Sequence, residues 1–189
     1  MLKATEILLI GGSAGSLTVL LKVLPQLNND ISFPIIIILH RKPHPDSILN
    51  TLLSNYTDLE VCEAEDKMTL KSKCIYVVPP DYHLLFEDKH MVSLDSSEKL
   101  NYSRPSIDVT FQSAAEVFQE NAVALLLSGA NADGVEGLQY IKQNNGFTVV
   151  QDPETAEVDY MPRQAILQVK IDHVLRPDQM AGFVNRLYK

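Results

Sequence analysis

The sequence predicts an α/β fold: a doubly wound, mainly parallel sheet flanked by helices, with an antiparallel β-hairpin excursion. Three observations point there. Short apolar runs alternate with helix-period stretches along most of the chain. The run Ile35-Ile36-Ile37-Ile38-Leu39 is apolar at every position, as in a strand buried on both faces of a parallel sheet. The middle of the chain is β-rich, with Asp88-Lys89-His90 between two strand patterns.

Taken in order, residues 5–10 read as a strand, 17–24 as a helix and 34–39 as a second strand. Residues 46–56 read as a helix, with Pro45 just before it, and 59–64 and 74–78 as short strands. Residues 82–87 and 91–95 form the hairpin. A helix over 106–119 follows, with Ile107, Val109, Phe111, Ala114, Ala115 and Phe118 as its apolar positions. Residues 122–127 have no polar break and read as a strand. The next helix, 135–144, ends at Asn145-Gly146, a C-cap signal. Residues 147–151 are a strand, 162–169 a helix with Pro162 in its first turn, 173–175 a short strand and 178–187 a last helix. With 189 residues, no repeat and no linker, a single domain spanning residues 1–189 is expected.

Composition narrows the function. The chain is 46% apolar, as globular proteins are, and carries a net charge of −8. That charge argues against nucleic acid or an anionic membrane as the main partner. No apolar run approaches membrane-spanning length, so no membrane insertion is expected, and the N-terminus lacks the pattern of a signal peptide. A cytoplasmic protein is the simplest expectation. Cys62 and Cys74 have no metal-ligand spacing and read as small buried hydrophobes.

In doubly wound folds, ligands sit at the carboxyl ends of the strands. Gly11-Gly12-Ser13-Ala14-Gly15-Ser16 follows the first strand, and His40 follows the second. Ser128-Gly129-Ala130-Asn131-Ala132-Asp133-Gly134 follows the strand at 122–127, and Asp152-Pro153 the strand at 147–151. One sheet edge thus presents a serine, a histidine and an aspartate. An imidazole can take the proton of a serine hydroxyl, and a carboxylate can orient the imidazole and stabilise its cation.

Residues 11–15 also fit G-x-S-x-G, a strand-to-helix elbow that lifts a serine clear of the sheet. The Ala14 N–H could donate to an oxyanion, with a second donor from the Gly129-Ala130-Asn131 loop, Ala130 being the candidate.

Each piece also has a plainer meaning. The Gly-rich turn could cradle a phosphate, His40 could be a polar strand end, and Asp133 with Glu136 imitates a helix capping box. His44 and His90 read as solvated, and His83 and His173 as packed within strands. Ser16 falls inside a helical turn, a poorer place for a nucleophile. An ordinary α/β-hydrolase order, serine then acid then histidine, would need His173 as base, so the order Ser13, His40, Asp133 is preferred. A flavodoxin-like nucleotide binder would lack both a G-x-G-x-x-G fingerprint and a Walker lysine.

At these residues the chain resembles the catalytic domain of the bacterial chemotaxis protein-glutamate methylesterase (CheB) family. The resemblance runs through Ile10-Gly11-Gly12-Ser13-Ala14-Gly15, His40, Glu63-Ala64-Glu65-Asp66 and Ile75-Tyr76-Val77-Val78-Pro79-Pro80. It continues through Arg104-Pro105-Ser106-Ile107-Asp108-Val109, Leu127-Ser128-Gly129 to Asp133-Gly134, Gln151-Asp152-Pro153 and Met161-Pro162-Arg163. The family's nucleophile, base and acid fall on Ser13, His40 and Asp133.

The resemblance implies hydrolysis of γ-glutamyl methyl esters on methyl-accepting chemoreceptors to glutamate and methanol. It also implies glutamine deamidation in some members, and no metal or cofactor. The alternative is a catalytically weakened protein- or phosphate-binding module of the same fold.

Departures lie at the rim. Ala14 replaces a common threonine, Ser16 a common glycine, and Arg41-Lys42-Pro43 a common Met-Pro-Pro. Residues 129–134 replace a common Gly-Met-Gly-Asn-Asp-Gly. Arg41 and Lys42 could face an acidic receptor helix or simply be solvated. Full-length members carry an N-terminal phospho-receiver domain. Here Met1 lies a few residues before the first strand, so the expectation is a catalytic domain without its receiver, either stand-alone or trimmed from a longer protein, and in this chain not regulated by its own phosphorylation.

Overall fold

The computed structural model describes residues 4–41, 48–100 and 102–187. Strand β1 (Ile7–Gly12) is central to a seven-stranded sheet. On one side lie β2 (Ile35–Leu39), β5 (Cys74–Val77) and β3 (Glu60–Glu63); on the other lie β8 (Ala122–Leu126), β9 (Phe147–Gln151) and β10 (His173–Leu175). Every pairing in this sheet is parallel.

A second, antiparallel sheet holds β6 (His83–Phe86), β7 (Met91–Asp95) and the two-residue β4 (Met68–Thr69). The sequence signals the β6–β7 hairpin but not β4. Two residues carry no alternation, and β4 exists only because Met68 and Thr69 pair with Val92 and Met91.

Strand side chains alternate between two cores, which is why the central strands are apolar throughout. Ile7, Leu9, Ile36 and Ile38 face one core, with α3 (Ile107–Phe118), α4 (Val135–Gln143), α5 (Tyr160–Gln168) and the small sheet. Leu8, Ile10, Ile35, Ile37 and Leu39 face the other, with α1 (Ser16–Val23), α2 (Ile48–Ser54) and α6 (Pro177–Val184). Helices on both faces make the sheet doubly wound, as the sequence predicts. The expected start of the second helix, Pro45 and Asp46, lies outside the described residues, as do Lys42 and His44.

Within α3 the buried positions are Ile107, Thr110, Phe111, Ala114, Ala115 and Phe118. Thr110 replaces the expected Val109 because its hydroxyl donates to the Leu84 carbonyl at 3.1 Å, which satisfies it in the core. The helix crosses directly over the end of β1: a Cβ on Gly11 would lie 2.5 Å from Ile107 Cγ2. This close approach brings the start of α3 to the carboxyl edge of the sheet.

His173 corrects a second expectation. It lies on the edge strand β10 opposite Val149, is exposed, and meets the rings of Phe147 and Phe183 edge-on, before the carboxyl end of the strand. His83 is buried as expected. Its Nδ1 accepts from Ser106 N–H, and Nε2 pairs with the Glu98 carbonyl.

Candidate active site

Register assembles the site. Gly12 pairs with Leu39 and Gly11 with Leu126, so residues 13, 40 and 127–128 leave the sheet side by side. Backbone hydrogen bonds extend the ladder: His40 N–H donates to the Gly12 carbonyl at 3.2 Å and Leu127 N–H to the Gly11 carbonyl at 2.8 Å. Here β1 hands the chain to β2 on one side and meets β8 on the other, the reversal point where doubly wound sheets bind ligands.

Ser13 sits in the turn between β1 and α1. Its N–H is taken by the Ser128 carbonyl at 2.9 Å and by Ser16 Oγ at 3.1 Å. The fully buried Ser16 hydroxyl donates to the same Ser128 carbonyl at 2.8 Å. Ser16 is therefore a brace for the turn. Gly15 closes the turn at φ +80°, a left-handed conformation that disfavours any side chain. A Cβ there would also lie 2.6 Å from Glu157 Cβ. Gly15→Ala should cost about 1–3 kcal/mol of stability, read as a lower urea midpoint at unchanged slope.

The loop over residues 128–134 passes against Ser13. A Cβ on Gly129 would lie 3.2 Å from Ser13 Cβ and 2.4 Å from Met161 Cε. The loop is pinned by Ser128 N–H to Gln151 Oε1, Gly129 N–H to the Val158 carbonyl and Asp133 N–H to Asn131 Oδ1. Ala14 and Ala130 are both exposed, and neither N–H has an acceptor among the described residues.

His40 Nε2 lies 2.6 Å from Asp133 Oδ2, with the histidine side chain 13% exposed and the carboxylate fully buried. A carboxylate oxygen accepts, so Nε2 carries the proton and Nδ1 is left as the basic nitrogen. Among the described residues no hydrogen bond joins Ser13 Oγ to the ring. Geometry brings the two together through the Gly12 carbonyl rather than through a formed contact.

Asp133 does not cap the helix that follows it. Gly134 takes the N-cap position of α4, and no side chain of its own helix caps it. Instead Asp133 reaches the start of α3. Oδ2 accepts from Ile107 N–H at 2.7 Å, and Oδ1 from Asp108 N–H at 2.9 Å and the Ser106 hydroxyl at 3.0 Å. Burial works against its charge, but the bonds from His40, Asp108 and Ile107 outweigh it. They hold the carboxyl below its usual range.

Asp108 is the opposite case. Burial, then the charge of Asp133, push its carboxyl up to about 7. The folded state therefore keeps a proton that the unfolded chain gives up, and the stability this confers is lost as pH rises from about 4 to about 7. Asp108→Asn removes that slope. The melting temperature of the variant, relative to the unaltered chain, should rise across this window and level off above it.

Sequence reasoning did not assign roles to Ser106 and Asp108. A serine at a helix start followed two residues later by aspartate is the signal they offered. Other candidates fall away. Asp152 caps a short turn through Glu154 N–H. Burial raises both thiols, Cys62 to about 12, so neither is a ready nucleophile.

A cavity of about 350 Å³ opens beside His40, lined also by Arg41, Asp81, Lys99, Tyr102 and Arg104. Arg41 is paired with Glu63 at 2.9 Å, and Arg104 donates to the Ser96 and Ser97 carbonyls, so both guanidiniums are fixed. Among the described residues no helix is long and apolar enough to cross a membrane.

A family model described as CheB methylesterase matches residues 8–184. The chain belongs to the CheB methylesterase family. The crystal structure of the Thermotoga maritima CheB methylesterase catalytic domain superposes with a TM-score of 0.92 at 30% identity, covering 98% of this chain and 100% of that one.

A relative from Leptospira interrogans is 41% identical over 182 residues, 96% of this chain and 94% of its own. The Thermotoga maritima protein-glutamate methylesterase/protein-glutamine glutaminase is 33% identical over 173 residues, 90% of this chain but 50% of its own. Its Archaeoglobus fulgidus counterpart is 32% identical over 161 residues, 84% of this chain and 46% of its own. The chain thus spans nearly all of one CheB relative and about half of others.

Proposed function

We propose that this chain is a serine carboxylesterase that hydrolyses γ-glutamyl methyl esters on chemoreceptor proteins, and deamidates glutamine at the same positions. The observation that carries the reading is the 2.6 Å bond from His40 to the buried Asp133, at the strand edge from which Ser13 emerges. The names of the family and of its relatives support protein glutamyl methyl esters and glutamines as the substrate class; the chemoreceptor as their carrier is what the resemblance of the motifs implies.

Ser13 Oγ attacks the ester carbonyl carbon as its proton passes to His40 Nδ1. Asp133, on the far side of the ring, stabilises the imidazolium. Ala14 and Ala130 N–H groups, free of other acceptors among the described residues, receive the oxyanion. Collapse breaks the carbon–methoxide bond, and His40 protonates the methoxide to release methanol. A water then gives His40 a proton, attacks the acyl-serine and frees the glutamate, returning the proton to Ser13. With ammonia in place of methanol, the same sequence deamidates glutamine. The fixed cations of Arg41 and Arg104 and the ammonium of Lys99 line the cavity where an acidic receptor segment would lie.

The test is release of methanol from methylated receptor membranes by the purified chain. Release above the buffer rate supports the reading; a rate equal to buffer, with folded protein, rejects it.

A further inference from the structure

The starts of α3 and α4 are joined by crossed carboxylates. Asp133, just before α4, accepts from the first N–H groups of α3, at Ile107 and Asp108. Asp108, in the first turn of α3, accepts on Oδ1 from the first N–H groups near α4, at Gly134 (2.8 Å) and Gly137 (2.7 Å). Each acid thus satisfies donors that the other helix leaves orphaned.

The two caps differ in one respect. Asp133 uses both oxygens, one for His40 and Ile107, the other for Asp108 and Ser106. Asp108 uses a single oxygen for both of its backbone bonds.

We propose that Asp108 is a positioning residue for the His40–Asp133 pair, acting through the backbone of Gly134. The residue that Asp108 grips is the immediate neighbour of Asp133. Asp133 is held from two directions: its side chain by α3, its backbone by the Asp108 carboxyl. Without that second hold, the backbone ties around Asp133 among the described residues are local: Asp133 N–H to the Asn131 side chain, Val135 N–H to the Ala132 carbonyl and Leu138 N–H to the Gly134 carbonyl. The 2.6 Å contact to His40 then loses its fixed length.

The titratable groups around Asp108 agree with a role as acceptor rather than as charge. Asp133 faces it from the loop and His40 lies beyond. His83 bonds Ser106 from β6, and the exposed Glu136 stands on the first turn of α4. Of these, Asp133 bears directly on Asp108, and it raises the carboxyl toward neutrality. An amide supplies the same acceptor oxygen.

This inference rests on the serine-esterase reading for its meaning, but its test does not. The low-field proton signal of the His40 Nε2–H bond is compared in the unaltered chain, Asp108→Asn and Asp108→Ala. The rate at which a fluorophosphonate labels Ser13 is measured on the same folded samples. Asp108→Asn should keep the low-field signal in place and label within about threefold of the unaltered rate, since the acceptor for both N–H groups survives. Asp108→Ala should lose or shift the signal and label about 10- to 100-fold more slowly.

If Asp108→Ala stays folded with an unmoved signal and an unchanged labelling rate, the inference is overturned. If Asp108→Ala fails to fold, Asp108→Glu takes its place. That substitution keeps a carboxyl but displaces the acceptor oxygen, and an unmoved signal there overturns the inference too. No labelling of the unaltered chain contradicts the esterase reading instead, and the proton signal then decides the role of Asp108 alone.

Discussion

Ser13→Ala should lower methanol release by about 10⁴-fold or more while leaving the melting temperature nearly unchanged. The hydroxyl oxygen has no hydrogen bond among the described residues, and the Ser13 interactions that hold the turn come from its backbone N–H. Removing the oxygen thus deletes the nucleophile and little else. The measurement is a single-turnover assay on methylated receptor, with circular dichroism to confirm folding. A rate within tenfold of the unaltered chain would remove Ser13 from the mechanism.

Asp133→Asn should cost both activity and stability, about 10⁴-fold in rate and about 1–3 kcal/mol or more in folding. An amide has one acceptor oxygen and one donor nitrogen. Asp133 Oδ2 receives Ile107 N–H and Oδ1 receives Asp108 N–H, and backbone donors at a helix start cannot turn round. Whichever way the amide is placed, its NH₂ meets an N–H. The contrast with Asp108, where one oxygen serves both bonds, makes the asparagine pair informative: Asn should be severe at 133 and mild at 108. Denaturant midpoints and turnover, measured together on both variants, check this. Equal, small effects at the two positions would contradict the crossed-cap geometry.

Much of this was legible in the sequence because the parallel sheet writes itself as uninterrupted apolar runs. The isoleucine run of β2 and the segment of β8 each needed only burial on two faces to be recognised. The meeting of the candidate residues was legible for the same reason: in such a sheet, residues just past strand ends converge, and Ser13, His40 and residues 127–128 do so.

What the sequence hid depends on contacts between distant segments. Asp133 with Glu136 has the spacing of a local cap, yet the carboxylate serves a helix start 26 residues earlier, because α3 packs over β1 at Gly11. Ser16 carries no local sign of its bracing role, because its acceptor, the Ser128 carbonyl, lies 112 residues away. His173 and the short β4 were misjudged or missed because an edge strand and a two-residue strand carry too little pattern to show their surroundings.

Whether Ser13 is an activated nucleophile facing His40 and Asp133 is tested most directly by incubating the folded chain with a fluorophosphonate, followed by peptide mass mapping. One adduct per chain is expected, on Ser13, and it should be lost in His40→Ala. Folded protein that takes no label at Ser13 would contradict this assignment.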